Sequence, residues 1–274
     1  MTLDPARIEA AITERTTGIL AVHVYGNPCD VEAIERIARK HRLKVLYDGA
    51  HAFGTRVNGR PVASYGDATM FSFHATKLFH TAEGGAVVTN DGDVKRRMEL
   101  LKNFGIADEV TVKAVGINSK MNEIQAAMGL CLVDAVAAEK AKRLDLAHVY
   151  RDHLGGVPGI TASRPLDLDT DSLQYYCLRI DRAVAGVSRD EVYDRLKHYN
   201  VFARRYFYPL CSQYEPYRLF PDSAIDNLPV ANRVGDQVLC LPFYGELGTA
   251  NAERICQILR HIVMDGAVGA VHAA

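Results

Sequence analysis

The sequence predicts an α/β fold, a mostly parallel sheet covered by helices, followed by a smaller α+β domain. Three observations predict it. Short apolar runs recur at Gly18–Gly26, Val45–Asp48, Thr69–Phe73 and Gly85–Thr89, and a helical pattern at Val31–His41 separates the first two. Such runs suit strands buried on both faces, as they are in parallel sheets with helical crossovers. Gly155-Gly156-Val157-Pro158-Gly159 is the strongest turn punctuation in the 274 residues, and it divides the chain into domains 1–155 and 156–274.

Each element has a local reason. Asp4 is placed to cap a short helix over Pro5–Ile12, with proline at its first position. Asn27-Pro28-Cys29-Asp30 turns the chain into the helix Val31–His41. A helix is expected over Asp93–Asn103. Met121–Arg143 reads as one long helix with apolar residues at Ile124, Ala127, Met128, Cys131 and Leu132, continuing through a kink or break to His153. In the second domain Tyr175–Ile180 and Val201–Arg204 read as strands, and Ala250–Val263 as a closing helix. Ser188–Tyr199 reads as a helix whose Ser188 and Glu191 make a capping box. The segment 266–274 is small and weakly polar, so a frayed tail is expected there.

Composition narrows the function. Hydrophobic residues make up 48% and charged residues 24%, ordinary values for a globular protein, and the net charge is -1. That balance argues against a nucleic-acid or anionic-membrane partner. No stretch approaches the ~18 apolar residues of a membrane span. The six cysteines are widely spaced, without a C-x-x-C pair or metal-ligand spacing to histidine. Buried or partly buried free thiols in a reducing cytoplasm are therefore expected.

The chemistry concentrates at strand ends, where ligands of open α/β sheets bind. Asp48 ends one expected strand, Ser72 lies near the end of the next, and Lys77 follows five residues later. An acid, a hydroxyl and an amine so placed suit pyridoxal 5'-phosphate, which needs a protonated ring nitrogen, a held phosphate and an amine for its aldehyde. Lys77 is the candidate Schiff-base lysine, and its amine must lose its proton part of the time. Asp48 would keep the ring nitrogen protonated, or else simply cap the turn at Gly49. His51 would donate to the cofactor or pack on its ring, unless it is a satisfied loop histidine. Ser72 would bind phosphate. His74 and His80 either contact substrate or are neutral loop residues. Gly84-Gly85 allows a tight turn and is no phosphate loop, since neither G-x-x-x-x-G-K-[ST] nor a strand-linked G-x-G-x-x-G occurs.

Several segments together resemble the DegT/DnrJ/EryC1/StrS family of sugar aminotransferases. They are Tyr47-Asp48-Gly49-Ala50-His51-Ala52-Phe53-Gly54, Phe71-Ser72-Phe73-His74-Ala75-Thr76-Lys77 and Glu83-Gly84-Gly85-Ala86, with Gly116-Ile117-Asn118-Ser119-Lys120-Met121-Asn122-Glu123 further on. The resemblance implies a fold-type I pyridoxal-phosphate transferase. It implies glutamate as amino donor and a nucleotide-linked, dTDP-type keto-deoxy sugar as acceptor, aminated at C4, for surface polysaccharide or related amino-sugar synthesis. It also implies that Asn118 reaches the phosphate of a neighbouring subunit's cofactor, hence a homodimer. His51 stands where many members carry glutamine, and the retained Lys77 argues against the dehydratase branch.

Members carry on the order of 100 residues ahead of the stretch that begins here, the scale of a large part of a domain. The expected large domain is therefore incomplete at its N-terminus. Two rival readings follow: a non-catalytic or partner-dependent remnant of the fold, and an aminotransferase for amino acids. The second would need an arginine clamp for a second carboxylate, for which Arg204 and Arg205 are the candidates.

Overall fold

The computed structural model describes residues 1–272, with side chains described through Asp265. Two compact units form, one from Thr2–Ala137 with Asp169–Gln174, the other chiefly from Ala138–Leu168 and the chain from Tyr175 onward.

The first unit is built on a four-stranded sheet. Strand β1 (Gly18–Val22) leads through α1 (Val31–His41) to β2 (Lys44–Asp48), then β3 (Ala68–Ser72) and β4 (Gly85–Val88). Spatial order follows chain order; β1, β2 and β3 are parallel and β4 runs antiparallel at the edge. The register sets Val22 beside Asp48 and Asp48 beside Met70, so the carboxyl ends of β1 and β2 align. Helix α1 starts where the Asp30 carboxylate accepts the Ala33 N–H at 3.0 Å. It stops at Arg42, in the left-handed region at φ 55°, after a basic last turn that suits the helix dipole. Its Val31, Ile34 and Ala38 join Ile19, Ala21, Val45 and Tyr47 in the core. Burial of each large apolar side chain there stabilises by about 1.5–3 kcal/mol.

The fold class holds, and the cover differs on one face. Burial alternates along β1 and β2, and the residues turned away from α1 lie open among the described residues. Leu20 is 70% exposed, Leu46 47%, Met70 41% and Val87 52%. An unbroken apolar run reads the same whether one face or both are covered, which is why the sequence predicted cover on both.

Beyond the sheet, α2 (Gly92–Lys102) and α3 (Glu123–Val133) follow, α3 opening on a capping box between Asn122 and Gln125. The long helix expected from Met121 to Arg143 breaks earlier, at Asp134-Ala135, before α4 (Val136–Leu154). The apolar pattern runs on through the break, so nothing in it marked the stop. The first strand is also shorter than expected. It ends at Val22, and Val24–Gly26 form a 3-10 turn in which Tyr25 takes φ 59°.

In the second unit β5 (Tyr176–Ile180) pairs antiparallel with β6 (Val238–Leu241) and with the short strand Ile160–Thr161. Helix α5 (Arg189–His198) carries the expected Ser188–Glu191 capping box. Arg189 is buried and donates to the carbonyls of Gly235 and Val238, both at 2.8 Å, while its Nε meets Asp190 at 2.7 Å. The expected strand Val201–Arg204 is reduced to one bridge between Arg204 and Cys240. Asn200, at φ 59°, and the Val201 N–H, bonded to Leu196, are occupied in ending α5. The closing helix α6 spans Thr249–His272, so the tail expected to fray from residue 266 is helical that far, and its last two residues lie outside the described ones. Of the six free thiols, Cys29, Cys177, Cys240 and Cys256 are buried, whereas Cys131 and Cys211 are exposed rather than buried or partly buried as expected.

Candidate active site

The first unit gathers the candidate residues at the carboxyl end of its sheet. Asp48 closes β2 half-buried. Its backbone carbonyl accepts the His23 N–H at 3.0 Å, and its side chain accepts the Ala50 N–H at 2.9 Å. His23 is fully buried, stacks on Tyr47 at 4.7 Å and accepts the Cys29 N–H on Nδ1 at 3.0 Å. Burial lowers its pKa to about 4, so a neutral ring backs the strand end. Gly49 is required where it stands, because a Cβ there would come within 2.9 Å of the Met70 carbonyl.

Ser72 closes β3, and its hydroxyl accepts the His74 N–H at 3.3 Å. Lys77 follows on a turn in which its own N–H bonds the His74 carbonyl at 2.9 Å. The lysine is half-buried beside Leu78 and Phe79, which are buried. Phe79 stacks on Phe53 at 4.7 Å and meets Phe73 edge-on at 4.8 Å. Burial pushes the Lys77 amine below its ordinary pKa, and the negative charge of Asp48 opposes that shift. The two groups are therefore within electrostatic reach of one another.

His51 joins them. It accepts the Tyr25 N–H on Nδ1 at 3.3 Å, which leaves the proton of a neutral ring on Nε2. Burial first, and the Lys77 charge second, lower its pKa to about 4. At neutral pH the site thus holds an uncharged imidazole beside an amine shifted toward its reactive form.

The other candidates divide. Asn118 is exposed, bridges to Asn103 and accepts a short hydrogen bond from Lys120; it does not join the cluster among the described contacts. His74 is exposed, with Nδ1 2.9 Å from the Thr76 hydroxyl and Nε2 3.6 Å from Glu83. His80 accepts the Ala82 N–H at 3.5 Å. Arg205 is taken up by Asp190 at 2.9 Å and lies over Tyr193 and Tyr208, so its guanidinium already has a carboxylate partner within its own unit. A cavity of about 350 Å³ lies in the first unit among Phe53, Phe71, Phe73, Val62 and Val88. It is apolar, and neither Lys77 nor Asp48 lines it.

Sequence reasoning missed Gln174. This buried side chain accepts the Leu78 N–H on Oε1 at 2.6 Å and donates from Nε2 to the Thr76 carbonyl at 3.0 Å. A glutamine ahead of two tyrosines in an apolar run was the one available signal, and it names no partner.

Known proteins share this fold. The profile of the DegT/DnrJ/EryC1/StrS aminotransferase family matches residues 1–260. A dTDP-4-amino-4,6-dideoxy-D-glucose transaminase from Escherichia coli is 43% identical over 94% of this chain and 69% of its own. A GDP-perosamine synthase from Caulobacter vibrioides is 33% identical over 96% and 70%. A crystal structure of DesI with its TDP-sugar product superposes with a TM-score of 0.90 at 38% identity, covering 100% of this chain and 69% of that one.

Proposed function

The chain belongs to the DegT/DnrJ/EryC1/StrS aminotransferase family, and from that premise we propose that it moves an amino group from glutamate to C4 of a dTDP-linked 4-keto-6-deoxy sugar. The observation that carries the reading is the Lys77 amine, its pKa lowered by burial and within electrostatic reach of Asp48, which ends a parallel strand. Its fold is that of the type I pyridoxal-phosphate enzymes, and the family depends on that cofactor. The residues present fit it: a carboxylate, a neutral imidazole and an amine of lowered pKa interact within one compact unit, and a hydroxyl ends the adjacent strand of the same sheet.

When bound, pyridoxal phosphate supplies an electron-accepting ring and an aldehyde that carries nitrogen from donor to acceptor. Asp48 would hold a proton on the ring nitrogen through its negative charge. Lys77 would act as the proton carrier at the reacting carbon, a role that a lysine fills only in its neutral form, which burial favours. His51, neutral and carrying its proton on Nε2, donates a hydrogen bond without adding charge. The Ser72 hydroxyl would bind the phosphate. Asn118, exposed and outside the cluster, is assigned to the phosphate site of a second subunit, which makes the working form a homodimer. A cytoplasmic location completes the proposal.

The dTDP-sugar acceptor rests on the 43% identity to the Escherichia coli transaminase and on the likeness to DesI. The test supplies pyridoxal phosphate, glutamate and dTDP-4-keto-6-deoxyglucose, and measures 2-oxoglutarate and the amino sugar. Both products should form in equal amounts, and Lys77→Ala should lower turnover by about 10²–10⁴-fold. Turnover with simple keto acids alone would overturn the sugar assignment. Turnover with neither, by protein that carries the cofactor, would overturn the aminotransferase itself.

A further inference from the structure

The turn that presents Lys77 is fastened from far along the chain. Residue 174 lies in the segment Asp169–Gln174, which returns to the first unit between two stretches of the second. The segment is firmly placed: Asp171, Ser172, Leu173 and Gln174 are all buried, and the Thr170 carbonyl accepts the Arg56 N–H at 2.8 Å. Leu173 takes φ 54°, a left-handed conformation that costs a branched residue about 1–2 kcal/mol and persists only where its surroundings hold it.

The carboxamide of Gln174 then engages two peptide groups, at 2.6 Å and 3.0 Å. The Thr76 carbonyl belongs to the peptide plane before Cα of Lys77, and the Leu78 N–H to the plane after it. The only soft rotations between those planes are φ and ψ of Lys77. One rigid planar group that holds both planes therefore fixes both torsions, and with them the direction in which the Lys77 side chain leaves the backbone. On the N-terminal side of Lys77 there is no such packing, since His74, Ala75 and Thr76 are exposed, whereas Leu78 and Phe79 after it are buried. The alternative for a buried amide of this kind is plain satisfaction of two peptide groups. That role does not by itself select the two peptides flanking the reactive lysine.

We infer that Gln174 is a positioning residue for Lys77, whose carboxamide clasp aims the amine at its reacting partner. The inference rests on the function proposed above, and its test is read on cofactor-free protein so that the two can fail separately. Competitive acylation of amines, quantified by mass spectrometry across pH, gives the titration midpoint of Lys77; amide hydrogen exchange gives protection at Leu78. In Gln174→Leu the Leu78 amide should exchange about 5–10-fold faster, as loss of one hydrogen bond predicts. The Lys77 midpoint should rise by about 1 pH unit as the unclasped side chain gains water. Exchange within Lys44–Asp48 should not change.

Gln174→Met has nearly the same length, but it loses both the acceptor toward Leu78 and the donor toward Thr76 and adds no charge. There the Leu78 amide should lose protection and the Lys77 midpoint should rise as in Gln174→Leu. If Gln174→Leu does not fold, this variant decides. An unchanged Lys77 midpoint in the folded variants overturns the inference. So does loss of the fold in both, because Gln174 would then be holding the unit rather than the lysine.

Discussion

Strand β1, Gly18-Ile19-Leu20-Ala21-Val22, and strand β6, Val238-Leu239-Cys240-Leu241, are close to interchangeable as sequence, yet they live in opposite surroundings. In β1 every second residue is exposed; in β6 every residue is buried. β6 is bonded on one side to β5 and bridged on the other to Arg204, and α5 packs against both it and α6. β1 has α1 on one face only, among the described residues. Apolar content thus states what a strand is able to bury; its neighbours decide what it does bury.

The comparison can be broken at several points. The largest expected contrast is in thiol chemistry. Cys177 and Cys240 face one another across β5 and β6 at 3.2 Å, and burial pushes the Cys177 thiol far up. Timed alkylation of native protein should modify the exposed Cys131 and Cys211 while leaving Cys177 and Cys240 at least about 100-fold slower, since reaction requires an exposed thiolate. Equal rates would mean that the second sheet is open as well.

Next in size is packing. Leu239→Ala in β6 should cost about 2–5 kcal/mol in denaturant unfolding, whereas Leu20→Ala, on the open face of β1, should cost under about 0.5 kcal/mol. A large loss at Leu20 would show that something covers that face in solution.

Acid should act on the first unit through His23 and His51. Both have folded pKa values lowered to about 4 against about 6.5 unfolded. Above about pH 6.5 neither state binds the proton. Below it the unfolded chain does and the folded one does not until about pH 4, so stability falls as pH drops through that window. The loss is up to roughly 3 kcal/mol for each ring, less whatever solvent screening removes. Hydrogen exchange at pH 5 should therefore show Lys44–Asp48 losing protection before Val238–Leu241. His23→Gln should weaken the effect, and loss in the reverse order would contradict it.

What the sequence disclosed follows the reach of local physics. Asp48, Ser72 and Lys77 were legible because each sits on or just past a strand end, and a strand end is a local pattern of apolar residues followed by turn residues. His51 came with them, three residues from Asp48. Asn118 entered through resemblance alone, because no local pattern marks it. Gln174 was not legible because its partners, Thr76 and Leu78, lie almost a hundred residues away. The break at Asp134-Ala135 escaped for a different reason. Neither a glycine nor a proline stands there, and the helical period continues into Val136. The open face of the first sheet escaped because exposure is set by what packs above a strand.

The central claim is that Lys77, beside Asp48, is the amine that meets the cofactor aldehyde. Incubation with pyridoxal phosphate, borohydride reduction and peptide mass spectrometry test it most directly. The account predicts a phosphopyridoxyl group on Lys77, loss of that label in Lys77→Arg, and weakened labelling in Asp48→Asn. Label spread over exposed lysines such as Lys95 and Lys120, with Lys77 unmodified, would contradict it.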